Sequence, residues 1–227
     1  QTAGQIMCGL KVRGQSLILT DQDAHSATYQ GPPFVYSIER VGQSCGITSR
    51  KAAISVDAGA FWMGQEGFFS YSGGTVQELP CDVSDYVFDD INRSQASLIH
   101  AVPMAQHGEI WWFYPSGASN ECDRYVSLDY KEGHWAFGHI DRTCGVPRGV
   151  FKYPLWCDSL GNLWEQEVGL NYGGAGIFAE SGPISLGVGD QVMSATSMIP
   201  DESTQGDVTA TFKTRFHPND TERSYGP

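Results

Sequence analysis

Basic residues are scarce in this chain. Fourteen Lys and Arg stand against 26 Asp and Glu, a formal net charge of −12. A protein that wraps nucleic acid needs a surplus of cations for the phosphates, so that class is excluded. A surface that nucleic acid passes without adhering remains compatible with this balance. The longest basic run, Arg50-Lys51, is too short for a polybasic membrane or heparin patch. Apolar runs are short too, and none approaches the ~18 residues of a membrane-spanning helix. No signal-peptide pattern is read at the amino terminus. The chain opens on Gln1 rather than Met, so upstream residues are expected.

Sustained 3.6-residue periodicity is missing, which excludes a helical solenoid. Paired CxxC cysteines are missing as well. Cys8, Cys45, Cys81, Cys122, Cys144 and Cys157 are separated by 37, 36, 41, 22 and 13 residues, which fits no zinc motif. An even count permits three disulfides, but a chain of 227 residues does not need them. Reduced, mostly buried thiols are expected. There is no G-x-S-x-G elbow and no phosphate-cradling glycine loop.

What the sequence has in quantity is Gly, Ser, Thr and aromatic residues, arranged as short strands and turns. A hairpin pattern recurs. Gly59-Ala-Phe-Trp62-Met-Gly64-Gln-Glu-Gly67-Phe-Phe69-Ser-Tyr71 reads as strand, tight turn, strand, and Tyr153-Pro-Leu-Trp156-Cys-Asp158-Ser-Leu-Gly161-Asn-Leu163-Trp164 has the same layout. A fainter copy runs from Leu17 to Tyr29. A fourth is Gly108–Tyr114 with its return strand Asp123–Tyr130. Aligned on Leu19, Trp62, Trp112 and Trp156, the steps are 43, 50 and 44 residues, the size of a four-stranded propeller blade. The longer middle step holds the Pro115–Glu121 loop and a helix candidate, Ser84–Arg93, with Ser84 as N-cap and Val87 and Ile91 as an apolar pair. Gly64–Gly67, Lys131–Gly133 and Asp158–Asn162 supply turns. Phe34–Ile38 and Ala52–Val56 are further strands.

The expected fold is therefore all-β: about four recognisable β-propeller blades, incomplete, over residues 1–182, with a short helical insertion near 84–93. Residues 183–227 read as the start of a second antiparallel β layer. Its strands are Ile184–Leu186, Gln191–Met193 and Val208–Phe216, and it stops at Pro227 without an evident closing partner.

Candidate sites compete with plainer roles. His134 and His139 are five apart on a strand, hence on opposite faces, and cannot chelate together. His100 and His107 flank a turn. Glu165 and Glu167 share a strand face at near 7 Å, within the ~6.5–9.5 Å of inverting glycosidases, but two acids on an acidic chain are more simply a solvated face. Ser127–Trp135 loosely resembles the Asp-box turn of sialidase propellers, with too long a step from Asp129 to Gly133. Cys45, in Gly42-Gln-Ser-Cys45-Gly46, sits in a nucleophile-like turn with no identifiable base, so it reads as structural. Trp111-Trp112-Phe113-Tyr114 is apolar on both faces and reads as a strand buried on both. No catalytic, cofactor-binding or metal site is assigned. Trp62, Trp111, Trp112, Trp135, Trp156 and Trp164 are assigned to the structural core.

An ordered set of strings adds a resemblance. It begins with Leu19-Thr-Asp21, Gly31-Pro-Pro-Phe34-Val and Val41-Gly-Gln-Ser-Cys45-Gly46-Ile, and passes through Trp62-Met-Gly-Gln-Glu-Gly67-Phe-Phe, Tyr71-Ser-Gly-Gly74, Leu79-Pro80-Cys and Val87-Phe-Asp-Asp-Ile-Asn92. It ends with Glu109-Ile-Trp-Trp-Phe-Tyr114, Cys122-Asp-Arg-Tyr125, Trp164-Glu-Gln-Glu167 and Ile199-Pro-Asp201. In this order the strings resemble the packaged-DNA stabilisation proteins of short-tailed phages, also called tail nozzle or hub proteins. The resemblance spans nearly the whole chain. It implies a non-enzymatic virion protein with a β-propeller, assembled in the host cytoplasm into a homo-oligomeric, usually hexameric, ring below the portal and adaptor. Such a ring retains packaged DNA and conducts it at ejection, without sequence-specific binding and without a cofactor. The rival expectation is a carbohydrate-binding or glycan-hydrolysing propeller, favoured if an exposed aromatic shares a cleft with Glu165 and Glu167.

Overall fold

The computed structural model describes residues 4–169, 178–184, 192–199, 207–217 and 219–226. The chain divides into two compact units, Gln1–Leu170 and Asn171–Pro227. The division thus falls after residue 170 rather than after 182.

The first unit is a succession of antiparallel meanders. The first sheet is β1 (Ile6–Val12), β2 (Gln15–Thr20), β3 (Ala24–Tyr29) and β4 (Tyr36–Gly42), in chain order. The second is β5 (Ala53–Val56), β6 (Gly59–Met63), β7 (Phe68–Tyr71) and β8 (Gln77–Leu79). An insertion follows, made of α1 (Ser84–Asp90) and a 3₁₀ turn at Arg93–Leu98. The third sheet is β9 (His100–Met104), β10 (Glu109–Tyr114), β11 (Arg124–Asp129) and β12 (His134–His139). The fourth has three strands, β13 (Cys144–Val146), β14 (Leu155–Cys157) and β15 (Leu163–Glu165).

This is a propeller's blade sequence. Three four-stranded meanders and a three-stranded one follow each other, beginning at Ile6, Ala53, His100 and Cys144. Their first strands lie side by side: β1 touches β5, β5 touches β9 and β9 touches β13. A parallel bridge from Lys51 to His100 ties the entrance of β5 to β9. Leu19, Trp62, Trp112 and Trp156 fall on β2, β6, β10 and β14, the second strand of each of these four sheets. All four are at most 2% exposed. A second strand in a blade is covered on both faces by neighbouring sheets, which is why large apolar residues recur there.

Stacking is clearest around β10. Ile110, Trp112 and Tyr114 face a core shared with Trp62, Phe68 and Ile99 from the second sheet and the insertion. Phe113 faces the other way, into a core with Val102, Met104 and Trp156. The third sheet is therefore the filling between the second and fourth.

The segment Cys45–Ala52 stitches three sheets together. Cys45 N and Ile47 N donate to the carbonyls of Gln22 and Thr20 in the first sheet. Thr48 N donates to Met63 O and the Thr48 hydroxyl to Gly64 O in the second. The Ser49 hydroxyl donates to Ile99 O, and Lys51 O accepts from Ala101 N in the third. The path is tight at Gly46, where a Cβ would stand 2.0 Å from the Asp21 carbonyl oxygen.

The insertion differs from its expected form. Ser84 lies inside α1; Val83 is the N-cap and no side chain caps the helix. The helix ends at Asp90 because Ile91 turns extended and bridges to Ser116. Asn92 then clamps the β10–β11 loop, donating from N to Pro115 O and from Nδ2 to Ser119 O. The two features that lengthen the third repeat thus pack against each other.

In the second unit β16 (Phe212–Thr214) pairs with β17 (Arg223–Tyr225), so the Val208–Phe216 strand is shorter than expected and has a partner within the chain. Val192, Met193 and Ile184 are not in strands. The remainder of the Ile184–Leu186 and Gln191–Met193 expectations lies outside the described residues. Lys213 pairs with Glu180 at 2.5 Å.

Candidate functional site

Of the six tryptophans assigned to the core, Trp62, Trp112 and Trp156 are fully enclosed. Trp62 donates from Nε1 to Cys45 O at 2.8 Å and Trp112 to Ala52 O at 3.0 Å, so both indoles fasten onto the stitching segment. Trp156 Nε1 is buried without a partner among the described residues. Trp111 and Trp135 are partly buried against the cores. Trp111 stacks on Tyr125 at 4.3 Å, and Trp135 packs on Phe68 at 4.6 Å while donating to Pro80 O. Trp164 departs from the expectation: it is 49% exposed, on β15, the outer strand of a sheet that has three strands among the described residues.

Trp164 marks the most polar corner of the fourth sheet. Its Nε1 donates to Asp158 Oδ2 at 2.8 Å, and the Arg142 guanidinium lies over its ring at 5.7 Å. Asp158 is the hub. It also accepts from Asn162 Nδ2, Asn162 N and Leu160 N. These donors, the Trp164 indole foremost, hold its carboxyl down to about 2. Asp141 pins the same turn from outside by accepting from Ser159 N and Oγ. The sequence carried this in Asp158-x-x-Gly161-Asn162-x-Trp164, a turn-and-aromatic pattern resembling the one sought at Ser127–Trp135. At the latter, Asp129 accepts from Lys131 N and Glu132 N and stops there.

The carboxylate pair does not assemble as expected. β15 ends at Glu165, and Glu167 sits beyond it with a left-handed φ of 61°. The two therefore do not share a strand face. Glu167 instead faces His107 at 3.9 Å. Exposed Trp164 is next in sequence to Glu165, but strand alternation points them to opposite sides. Two surface recesses, of about 320 and about 210 Å³, are lined by Glu66, Glu78, Cys81 and Ser84, and by Gln15, Ser26, Ser37, Glu39 and Tyr71. Neither includes Glu165 or Glu167.

The thiols sort by environment. Cys45 is buried and its thiol is pushed up to about 11, mainly by burial. Cys122 meets His100 Nδ1 at 4.0 Å, which looks at first like a nucleophile and its base. Burial pushes that thiol up to about 12 and holds the imidazole down, so both stay neutral. An activated thiolate–imidazolium pair has the opposite polarity. His134 and His139, at the two ends of β12, face separate partners, Glu132 and Arg124. Among the described residues no three His, Cys, Asp or Glu side chains are grouped to hold a metal ion.

One further polar cluster docks α1 on the third sheet. Arg124 Nε lies 3.3 Å from Asp90 Oδ2, and its guanidinium also reaches the His139 ring and the Tyr86 hydroxyl. Tyr86 packs on Phe137 at 4.2 Å. The Tyr114 hydroxyl is buried beside them without a partner, and burial raises its pKa strongly. This cluster contains no nucleophile; it positions a helix.

Charge follows the same division. The first strands β1, β5, β9 and β13 carry no carboxylate. Acidic residues sit in the turns, the outer strands and the insertion, as at Asp57, Glu66, Glu78, Asp85 and Glu132. Several acidic residues of the first unit thus lie at the rims of the sheets, while Glu109 and Asp129 lie on the inner strands β10 and β11.

No family model matches the sequence, and no curated protein matches it. Solved structures with a similar course include the Neurospora crassa Pan2 WD40 domain, at 12% identity and TM-score 0.41 over 69% of this chain and 44% of that one. A structure of S. cerevisiae dbp5 bound to nup159, gle1, IP6 and ADP gives 10% identity and TM-score 0.39 over 70% and 49%. The hemopexin fold protein CP4 from cow pea gives 10% identity and TM-score 0.31 over 60% and 67%. The chain spans about half the length of the first two. The fold assignment rests on the strand topology.

Proposed function

We propose that this chain is a structural component of a short-tailed phage tail, part of the nozzle that retains packaged DNA and conducts it at ejection. The observation that carries the reading is the ordered set of strings from Leu19-Thr-Asp21 to Ile199-Pro-Asp201. The polar side chains support it by what they are used for. Asp158, Asp129, Arg124 and Asn92 all close turns or dock elements. The surface supports it as well: acidic rims repel phosphates, and the outer strand β4 presents Tyr36 and Ile38 beside Phe34 and Tyr29, all more than half exposed. Apolar surface of this kind marks contacts between proteins.

In this reading the ring is homo-oligomeric, it docks beneath adaptor and portal, and DNA slides past without being held. Electron microscopy of the intact protein tests it. Six-fold rings with an open centre are expected, and dispersed monomers would overturn it. A salt titration of DNA binding adds a second check: weak binding is expected throughout, whereas tight binding falling steeply with salt contradicts a surface built for release.

The second reading, a glycan-binding or glycan-hydrolysing module, rests on the exposed Trp164 alone, since Glu165 points to the other side of the strand and Glu167 lies beyond it. Arg142 lies over one face of that ring and its indole N–H is already bonded to Asp158. Retention on immobilised glycans, abolished by Trp164→Ala, would move the assignment to this reading.

A further inference from the structure

Four of the six cysteines stand singly. Cys45 and Cys122 are buried, and Cys8 and Cys81 are half-buried with thiols raised mainly by burial. The other two are placed differently. Cys144 on β13 and Cys157 on β14 are direct partners in an antiparallel register, followed by Gly145 opposite Trp156 and Val146 opposite Leu155. Cys144 is exposed and Cys157 half-exposed.

Direct cross-strand partners hold their Cα atoms about 4.5–5.5 Å apart. A disulfide spans Cα separations of about 4.4–6.8 Å. Register therefore brings this pair into bonding range with no backbone rearrangement. Bonds that cross between these two strands fix that register: Thr143 donates from N and Oγ1 to Cys157 O, and Ser159 donates from N and Oγ to the Asp141 carboxylate. Gly145 fixes it sterically, since a Cβ there would meet the Trp156 ring at 2.6 Å.

We propose that Cys144 and Cys157 form a reversible dithiol–disulfide site, closed by small-molecule disulfides such as glutathione disulfide. The exposed Cys144 thiolate attacks one sulfur of the oxidant, breaking its S–S bond and releasing one glutathione thiolate. The Cys157 thiolate then attacks the Cys144 sulfur of the mixed disulfide and releases the second glutathione. The protein gives up two thiol protons and two electrons, and the oxidant takes up both as two molecules of glutathione. Cys144 leads because it is the more exposed of the two. The product ties the first strand of the fourth sheet to its second and encloses the Pro147–Pro154 connection. The same thiols stay open in a reducing compartment and close in an oxidising one. The proposal is independent of the phage-tail reading.

The test is to incubate the intact, folded protein with glutathione disulfide and follow its mass. The expected result is loss of two hydrogens with no retained glutathione, reversed by dithiothreitol. Tryptic mapping should then join the peptide Thr143–Arg148 to the peptide beginning at Tyr153. Cys144→Ser and Cys157→Ser should each retain one glutathione instead and show no internal closure. Two separate adducts on the wild-type protein, a closure through any other cysteine, or no reaction at either thiol would each overturn the proposal.

Discussion

The third and fourth sheets place a tryptophan at the same point of the same repeat, yet they hold it differently. Trp112 on β10 is sealed on one face by the second sheet, while Phe113 beside it is sealed by the fourth. Its indole N–H has a partner, the Ala52 carbonyl of the stitching segment. Trp156 on β14 is as deeply buried, but its N–H has none among the described residues. The outer strand of its sheet leaves Leu163 and Trp164 largely exposed. A blade is thus only as complete as its neighbours make it: apolar coverage comes from adjacent sheets, and polar satisfaction from the segments that cross between them.

The comparison breaks most visibly at Trp112. Trp112→Ala is expected to cost about 3–5 kcal/mol in urea unfolding, whereas Trp164→Ala stays within about 1 kcal/mol because its site is already open to water. Equal losses would mean that the fourth sheet is as enclosed as the third. Next in size is Gly46→Ala. A methyl group there runs into the Asp21 backbone, which cannot swing aside as a side chain does, and a loss on the order of 1–3 kcal/mol is expected from the same measurement.

Trp112→Phe and Trp156→Phe sharpen the contrast between the two indoles. The first leaves the Ala52 carbonyl unpartnered, while the second removes an unpartnered donor. Trp112→Phe should therefore be the more destabilising by about 1 kcal/mol. A reversed order would show that Trp156 has a partner in solution.

The smallest effect concerns the Asp158 turn. Its carboxyl is held down to about 2 in the folded protein, against about 3.9 for an unperturbed Asp. A depressed pKa contributes stability that is fully present above the unfolded value and is lost as pH falls through the folded one. The thermal midpoint of the wild-type protein should therefore drop relative to Asp158→Asn between about pH 4 and pH 2. Parallel curves for the two proteins would remove Asp158 from the account.

Much of this was legible in the sequence, for a reason that is itself structural. Leu19, Trp62, Trp112 and Trp156 were alignable because the second strand of each of the four meanders buries a bulky apolar residue at this point. Two-residue alternation also separated His134 from His139 correctly. The failures came where a local pattern depends on what lies beside it. Trp164 has the same alternation as its neighbours, but among the described residues no fourth strand covers it. Glu167 continues the polar spacing of Glu165 after the backbone has already turned. The helix after Ser84 stops early because Ile91 is drawn into a bridge with a loop 25 positions further on, at Ser116. The pairing of Cys144 with Cys157 depends on a register set across a connection whose length gives no hint of it. The Asp158 turn is the exception, since all its partners lie within six residues and the signal was there to be read.

Every described sheet is built from strands that are consecutive in the chain. Its hydrogen-bonded partners are therefore close in sequence, which keeps contact order low within each sheet and favours rapid formation. A ribosome adding about 5–20 residues per second finishes each meander seconds before the next is complete. The first sheet can thus be in place before Cys45–Ala52 emerges to bind it, and each later sheet is laid on a surface that already exists. In such a molecule the order of synthesis is also an order of assembly.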